Sequence, residues 1–282
     1  MGLHPTNMKQ LDALITEGMR IATIGRLHID REFRSHRAQP PKREWFDDYI
    51  AARFDNVTID TLDASAYEGA NIIQDLNLPL DPANADRRGM YDMVIDGGSL
   101  EHIFNIPEAF RTYKALLKVG GLLYIDTCAN NKFGHGLYQF SSDLFYSALC
   151  PDNGFEMMDC FLETHPSTGA AFGKTRGLFT APDPAPLKRR TQFVSATPVE
   201  IHVLARKTSD EGDFLSVVQS DYRVSWGEAD RAAPAKPAGG GLMKTIKRNP
   251  LVRIFYDRVI FPYLSRPGLN RTFPRKTTFR KP

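Results

Sequence analysis

The chain has 282 residues, 42% of them hydrophobic and 24% charged, with a formal net charge of +3. That length can bury an ordinary α/β core without disulfide or metal staples, and so small a charge excess gives no reason to expect nucleic acid as a partner. The three cysteines, Cys128, Cys150 and Cys160, lack CxxC spacing, and the opening MGLHPTNMKQ lacks the basic and apolar regions of a signal peptide. With no apolar run of the roughly 18 residues that a spanning helix needs, free thiols and a cytoplasmic location are expected.

In chain order, LDALITEGM (11–19) has apolar residues at helical spacing, and Gly18 stands where a helix can end. RIATIGRLHI predicts a strand, basic and proline-rich 30–43 a loop or lid, and EWFDDYIAARF (44–54) a helix. NVTID (56–60), ANIIQ (70–74) and YDMVID (91–96) read as strands, the first followed by a turn through DASAYEG. IPEAFRTYKALLKV (106–119) predicts a helix capped near Asn105 and stopped by Gly120 and Gly121, before a strand at LLYIDTC. A loop over 128–141 leads into the helix SSDLFYSALC. FEMMDCFLE (155–163) and VEIHVLARK (199–207) predict two late strands paired at the sheet edge. Between them a polar, proline-containing insertion (164–198) could cover a crevice, and SVVQSDYRVSW (216–226) is a further packed segment. This alternation predicts an α/β fold with a mostly parallel sheet and helices on its faces.

RAAPAKPAGGG (231–241) has the composition of a linker, dividing a domain at 1–230 from a basic, aromatic extension at 242–282. Leu251, Phe255 and Val259 can share a helical face there, and Lys244, Lys247, Arg248, Arg253 and Arg258 can meet anionic headgroups. Peripheral contact at the inner face of a membrane, packing on the main domain and contact with a second subunit, giving a homo-oligomer, stay open as alternatives.

Two stretches carry a family likeness: YDMVIDGGSLEHIFN (91–105) and LLKVGGLLYIDT (116–127), in that order and joined by one amphipathic helix. On these the chain resembles the class I S-adenosylmethionine-dependent methyltransferase family over about residues 10–208. The resemblance implies a Rossmann-like methyltransferase sheet, mostly parallel with an antiparallel edge strand, and S-adenosylmethionine as cofactor.

The resemblance also implies site residues. The family's first strand ends in a glycine-rich loop; here IATIGRLHIDREF keeps only Gly25, with Arg26 and Leu27 where small residues normally admit the ligand. A rerouted loop would bring Arg26 or His28 to the cofactor carboxylate. A loop that fills the site would leave a non-catalytic scaffold for a protein partner. Asp60 or Asp63, near the end of the second strand, is expected to accept hydrogen bonds from both ribose hydroxyls. Asp75 and Leu76 match the adenine position, and Asp96, Gly97 and Gly98 should lie beside cofactor and substrate.

On the acceptor side, NNKFGHGLYQF supplies donors and acceptors, and His135 between two glycines is a candidate general base. His102 is a second candidate, with support of the loop as its other role. No HExxH, cysteine cluster of metal spacing or P-loop occurs, and GGS at 97–99 is not a GxSxG elbow, so no metal site, nucleotide hydrolysis or acyl hydrolysis is expected. The expected activity is methyl transfer to a small molecule or sugar-containing intermediate, to oxygen rather than nitrogen because the loop lacks an aromatic box for a cation.

Overall fold

The computed structural model describes residues 2–30, 33, 44–165, 176–187, 191–229 and 273–279. Within them lies an eight-stranded sheet in the order β5-β4-β2-β6-β7-β10-β8-β9. The strands are β2 (Arg20–Ile24), β4 (Thr58–Asp63), β5 (Ile72–Ile73), β6 (Tyr91–Gly97), β7 (Leu117–Asn130), β8 (Phe155–Thr164), β9 (Gly177–Thr180) and β10 (Val199–Lys207). The first five in that order run parallel, and β10 is antiparallel to both β7 and β8. A short parallel pair, β1 (Gly2–Leu3) with β3 (His28–Ile29), stands apart. This is the Rossmann-like methyltransferase sheet that the resemblance implies, parallel over most of its width with antiparallel strands toward one edge.

The sheet is buried on both faces because its strands are apolar at odd and even positions alike. Val94, Leu123 and Ile125 face one layer with Phe110, Tyr113 and Leu116 of the helix Ile106–Leu116 and Phe145 of the helix Ser142–Ala148. Their strand neighbours Met93, Ile95, Leu122 and Tyr124 face the other layer, with Met8, Leu11 and Leu14 of the helix Pro5–Leu14 and Phe46 and Ile50 of the helix Phe46–Ala51. Of the described helices, none is long and apolar enough to cross a membrane.

Several elements differ from the sequence expectation. The first helix runs over Pro5–Leu14 rather than 11–19: Pro5 suits a first turn, and Asn7 Oδ1 accepts from the His4 N–H at 2.8 Å. Gly120 and Gly121 do not stop the following helix. That helix ends at Leu116, and the glycines form a bulge inside β7, where the register jumps from Tyr91↔Leu117 to Met93↔Leu122. Gly120 has φ +90°, and a Cβ on Gly121 would lie 2.9 Å from the Lys118 carbonyl oxygen. Buried Lys207 closes the helix end by donating from Nζ to the carbonyls of Lys114 and Leu117, each at 2.7 Å. The two late strands do pair, but β10 lies inside the sheet and β9, from the 164–198 insertion, lies beyond β8.

Residues 273–279 pack beside β9. Thr180 N–H donates to the Pro274 carbonyl and Lys276 N–H to that of Leu178, each at 2.9 Å, while Phe273 is buried against Phe193. Lys276 Nζ meets Asp159 Oδ1 at 2.7 Å. The linker at 231–241, the extension from 242 to 272 and nearly all of the 30–43 lid lie outside the described residues.

Candidate functional site

The chain passes from β2 to β4 and β5 on one side, then returns to β6 and β7 on the other. The switch point lies between β2 and β6, and ligands of open α/β sheets bind beyond the carboxyl ends of the strands there. A cavity of about 280 Å³ occupies that place, lined among others by Gly25, Arg26, Asp63, Asp75, Leu76 and His102.

Gly25 follows β2 with φ +69°, and its N–H donates to the Leu62 carbonyl at 2.7 Å. A Cβ there would sit 3.5 Å from Ser99 Oγ and 3.9 Å from Asp63 Oδ2, so the missing side chain keeps this wall of the cavity open. The loop then turns outward. Leu27 is buried, and the Arg26 guanidinium stacks 4.4 Å from the Trp45 ring centre and pairs with Asp47 at 2.8 Å, remaining in the cavity wall. Bulky residues after Gly25 therefore line the crevice without filling it.

The structure separates the two candidate ribose acids. Asp63 is the last residue of β4 and lines the cavity. Asp60 sits three residues earlier, where strand alternation turns it to the other face. Its carboxylate accepts from Asn71 Nδ2 at 2.6 Å and the Tyr91 hydroxyl at 2.7 Å, with Arg87 Nη1 at 3.3 Å. Asp75 and Leu76 both line the cavity, and Asp75 Oδ1 accepts from the Asn77 N–H at 2.8 Å.

Asp96 lines neither cavity described here. It is fully buried and braces the turn, accepting from the Tyr113 hydroxyl at 2.6 Å, Ser99 N–H at 2.6 Å and Gly98 N–H at 3.1 Å. Burial pushes its carboxyl up to about 7, against the opposing pull of those donors. Gly97 and Gly98 line a second cavity, also about 280 Å³, with Glu101, Asp126, Thr127, Lys132, His135 and Glu200 in its wall. Thus the turn 97–102 stands between the two spaces: Ser99 and His102 face the first, Gly98 and Glu101 the second.

His135 reaches the second cavity through the glycines on either side. Gly134 has φ +81°, and a Cβ on Gly136 would lie 2.8–2.9 Å from Glu101 atoms. His135 Nε2 is 3.7 Å from Glu101 Oε1, and its ring lies 5.5 Å from that of His102. Buried Glu101 accepts from Thr127 Oγ1 at 2.7 Å and Cys128 Sγ at 3.4 Å. Burial and then the Glu101 charge push the Cys128 thiol up to about 12, which leaves it a poor nucleophile.

Sequence reasoning missed the ionic cluster in and behind the second cavity: His4, Asp126, Glu163, His165, Arg176, Glu200 and His202. His202 is fully buried, stacked on Phe161 with ring centres 4.5 Å apart, and its Nε2 is 3.1 Å from Glu163 Oε2. Burial opposes its charge, yet Asp126 and Glu163 raise it to about 9; burial also opposes ionisation of Glu163, which His202, His165 and Arg176 hold down at about 2. One signal was present: Glu200 and His202 lie two apart, hence on one face, in the otherwise apolar run VEIHVLA.

The cradle fits S-adenosylmethionine. It offers a carboxylate at the end of the second strand, an acid and a backbone N–H after the third, an arginine in the wall, and at Gly25 a gap that any Cβ would narrow. Topology and crevice together define a Rossmann-like methyltransferase fold with its ligand space at the switch point.

No family model matches the sequence, and no curated protein matches it either. Solved structures do. A TehB-like S-adenosylmethionine-dependent methyltransferase from Corynebacterium glutamicum is 13% identical, with 71% of this chain and 85% of that one covered at a TM-score of 0.40. The Burkholderia thailandensis 1,6-didemethyltoxoflavin-N1-methyltransferase, solved with 1,6-didemethyltoxoflavin and S-adenosylhomocysteine bound, is 14% identical over 68% of this chain and 72% of that one, with a TM-score of 0.39. A 16S rRNA (adenine(1408)-N(1))-methyltransferase mutant from Catenulisporales acidiphilia is 12% identical over 73% and 91%, again with a TM-score of 0.39.

Proposed function

We propose that the chain transfers the methyl group of S-adenosylmethionine to an oxygen of a small, polar, hydroxyl-bearing acceptor, with sugar-containing molecules as the leading class. The observation that carries this reading is the open crevice at the switch point, with Gly25, Asp63, Asp75 and Leu76 around it and a second, polar cavity across the turn 97–102.

The cofactor would supply an activated methyl group, which leaves the protein to bind, align and deprotonate. Asp63 would accept from the ribose hydroxyls, Asp75 and the Leu76 N–H would hold the adenine edge, and Arg26 would meet the cofactor carboxylate. Glu101, fixed by Thr127 and Cys128, faces His135 Nε2, so the other ring nitrogen is the one that takes the acceptor proton. The second cavity is lined by glycines, histidines, charged groups and the Thr127 hydroxyl, with no Phe, Tyr or Trp among its described residues, and the lack of an aromatic box favours hydroxylated acceptors over alkylated cations.

The test follows S-adenosylhomocysteine release with a panel of sugar nucleotides, free sugars and amines. Turnover with hydroxylated acceptors, lost in His135→Asn while cofactor affinity is kept, supports the assignment. Turnover with amines alone, or undiminished turnover in His135→Asn, overturns it.

A further inference from the structure

We propose that His4, His165 and Glu200 form a binding site for a divalent first-row transition-metal ion in the wall of the second cavity. His165 Nε2 lies 2.5 Å and His4 Nε2 3.6 Å from the same oxygen, Glu200 Oε2. Despite those separations, neither Glu200 Oε2 nor His165 Nε2 has a hydrogen-bond partner, although Glu200 is only 6% exposed. The short contacts lack hydrogen-bond alignment. One ligand atom from each of the three residues lies within 4.8 Å of the other two.

The surroundings suit the assignment. Asp30 Oδ2 lies 3.0 Å from His4 Nδ1, an ion-pair distance without hydrogen-bond alignment, on the side of the ring away from the Nε2 that faces Glu200. The second Glu200 oxygen is held by Lys132. Arg176 Nη1 lies 2.9 Å from His165 Nδ1 and 2.7 Å from Glu163 Oε1. Arginine only donates, so without an ion the His165 proton sits on Nε2. Ion binding moves that proton to Nδ1 and leaves Arg176 with Glu163. Two nitrogen ligands and one carboxylate select zinc, iron(II), cobalt or manganese over magnesium, and leave positions open toward the cavity that His4 and Glu200 line.

Metal binding does not depend on the cofactor reading, so either can fail alone. The experiment treats the full chain with chelator, then titrates it with Zn²⁺ and Co²⁺ by calorimetry, elemental analysis and visible absorption. One ion per chain is expected, with a cobalt spectrum free of thiolate charge transfer. His165→Ala and Glu200→Gln should weaken binding by more than the roughly 10–100-fold that loss of an outer-shell partner costs. Cys128→Ser, in a separate potential ligand group of Glu101, Cys128 and His135, should leave it unchanged, and loss of binding in His165→Ala distinguishes the site from a third group, Asp126, Glu200 and His202. A folded wild-type chain that retains no ion overturns the proposal, as do a thiolate–cobalt band or loss of binding in Cys128→Ser alone. The wild-type spectrum and stoichiometry decide the matter even if a variant fails to fold.

Discussion

Replacing Asp63 and Asp60 separately by alanine should split two properties that one strand carries. Asp63 stands at the carboxyl end of β4 in the crevice wall. If it accepts two ribose hydroxyls, each charge-assisted bond contributes about 1.5–3 kcal/mol, partly offset when water fills the gap. A net loss of about 3 kcal/mol weakens S-adenosylhomocysteine binding on the order of 100-fold. Asp60 instead braces fully buried Tyr91 through a 2.7 Å bond and Asn71 through one of 2.6 Å. Leaving that hydroxyl without its acceptor should cost about 1–3 kcal/mol of stability, at about 2–4 °C of melting temperature per kcal/mol, with affinity per folded molecule unchanged. Calorimetric titration and thermal melts on both variants read the two quantities. Weakened binding in Asp60→Ala with none in Asp63→Ala would refute the reasoning about strand parity.

Three further outcomes are expected. Gly25→Ala should lose about 1–2 kcal/mol to its left-handed backbone and bind cofactor more weakly, because the added Cβ points toward Ser99 Oγ and Asp63 Oδ2; wild-type affinity in titration would contradict this. Burial holds Asp96 at about 7 against an ordinary 3.8, helped by the Glu101 charge and opposed by Tyr113, Ser99 and Gly98, so the folded state keeps a proton that the unfolded chain loses. Its stabilising contribution is complete below about pH 4 and is lost as pH rises through about 7, on the order of 4 kcal/mol in all; Asp96→Asn should flatten that part of the curve in urea melts, and an unchanged slope would count against it. Lys276→Ala removes the ammonium from a carboxylate that is 8% exposed and should cost about 3 kcal/mol, measured by denaturant unfolding, whereas a neutral result would mean that residues 273–279 do not hold the sheet edge.

Much of the fold was legible because strands such as YDMVID and VEIHVLARK are bounded by turn residues and carry the apolar runs that a doubly covered sheet requires. The glycine pair at 120–121 was misread because two glycines serve a helix end or a β-bulge equally well, and only pairing of Leu117 with Tyr91 decides between them. The choice between Asp60 and Asp63 turned on where β4 ends, which depends on its partners β2 and β5 rather than on NVTID itself. Asp96 was expected beside the cofactor; its burial follows from Tyr113, on a helix whose approach to β6 no local pattern encodes. His4, His165 and Glu200 are distant in the chain and share no motif, so only the assembled sheet reveals their convergence.

The central claim is that the crevice at the switch point binds S-adenosylmethionine despite the single glycine after β2. Calorimetric titration of the wild-type chain, freed of any copurified ligand, with S-adenosylmethionine and S-adenosylhomocysteine tests it most directly. Saturable binding of one molecule per chain is the predicted result. A demonstrably folded protein that binds neither compound at millimolar concentration would contradict the account and leave a methyltransferase-like scaffold in its place.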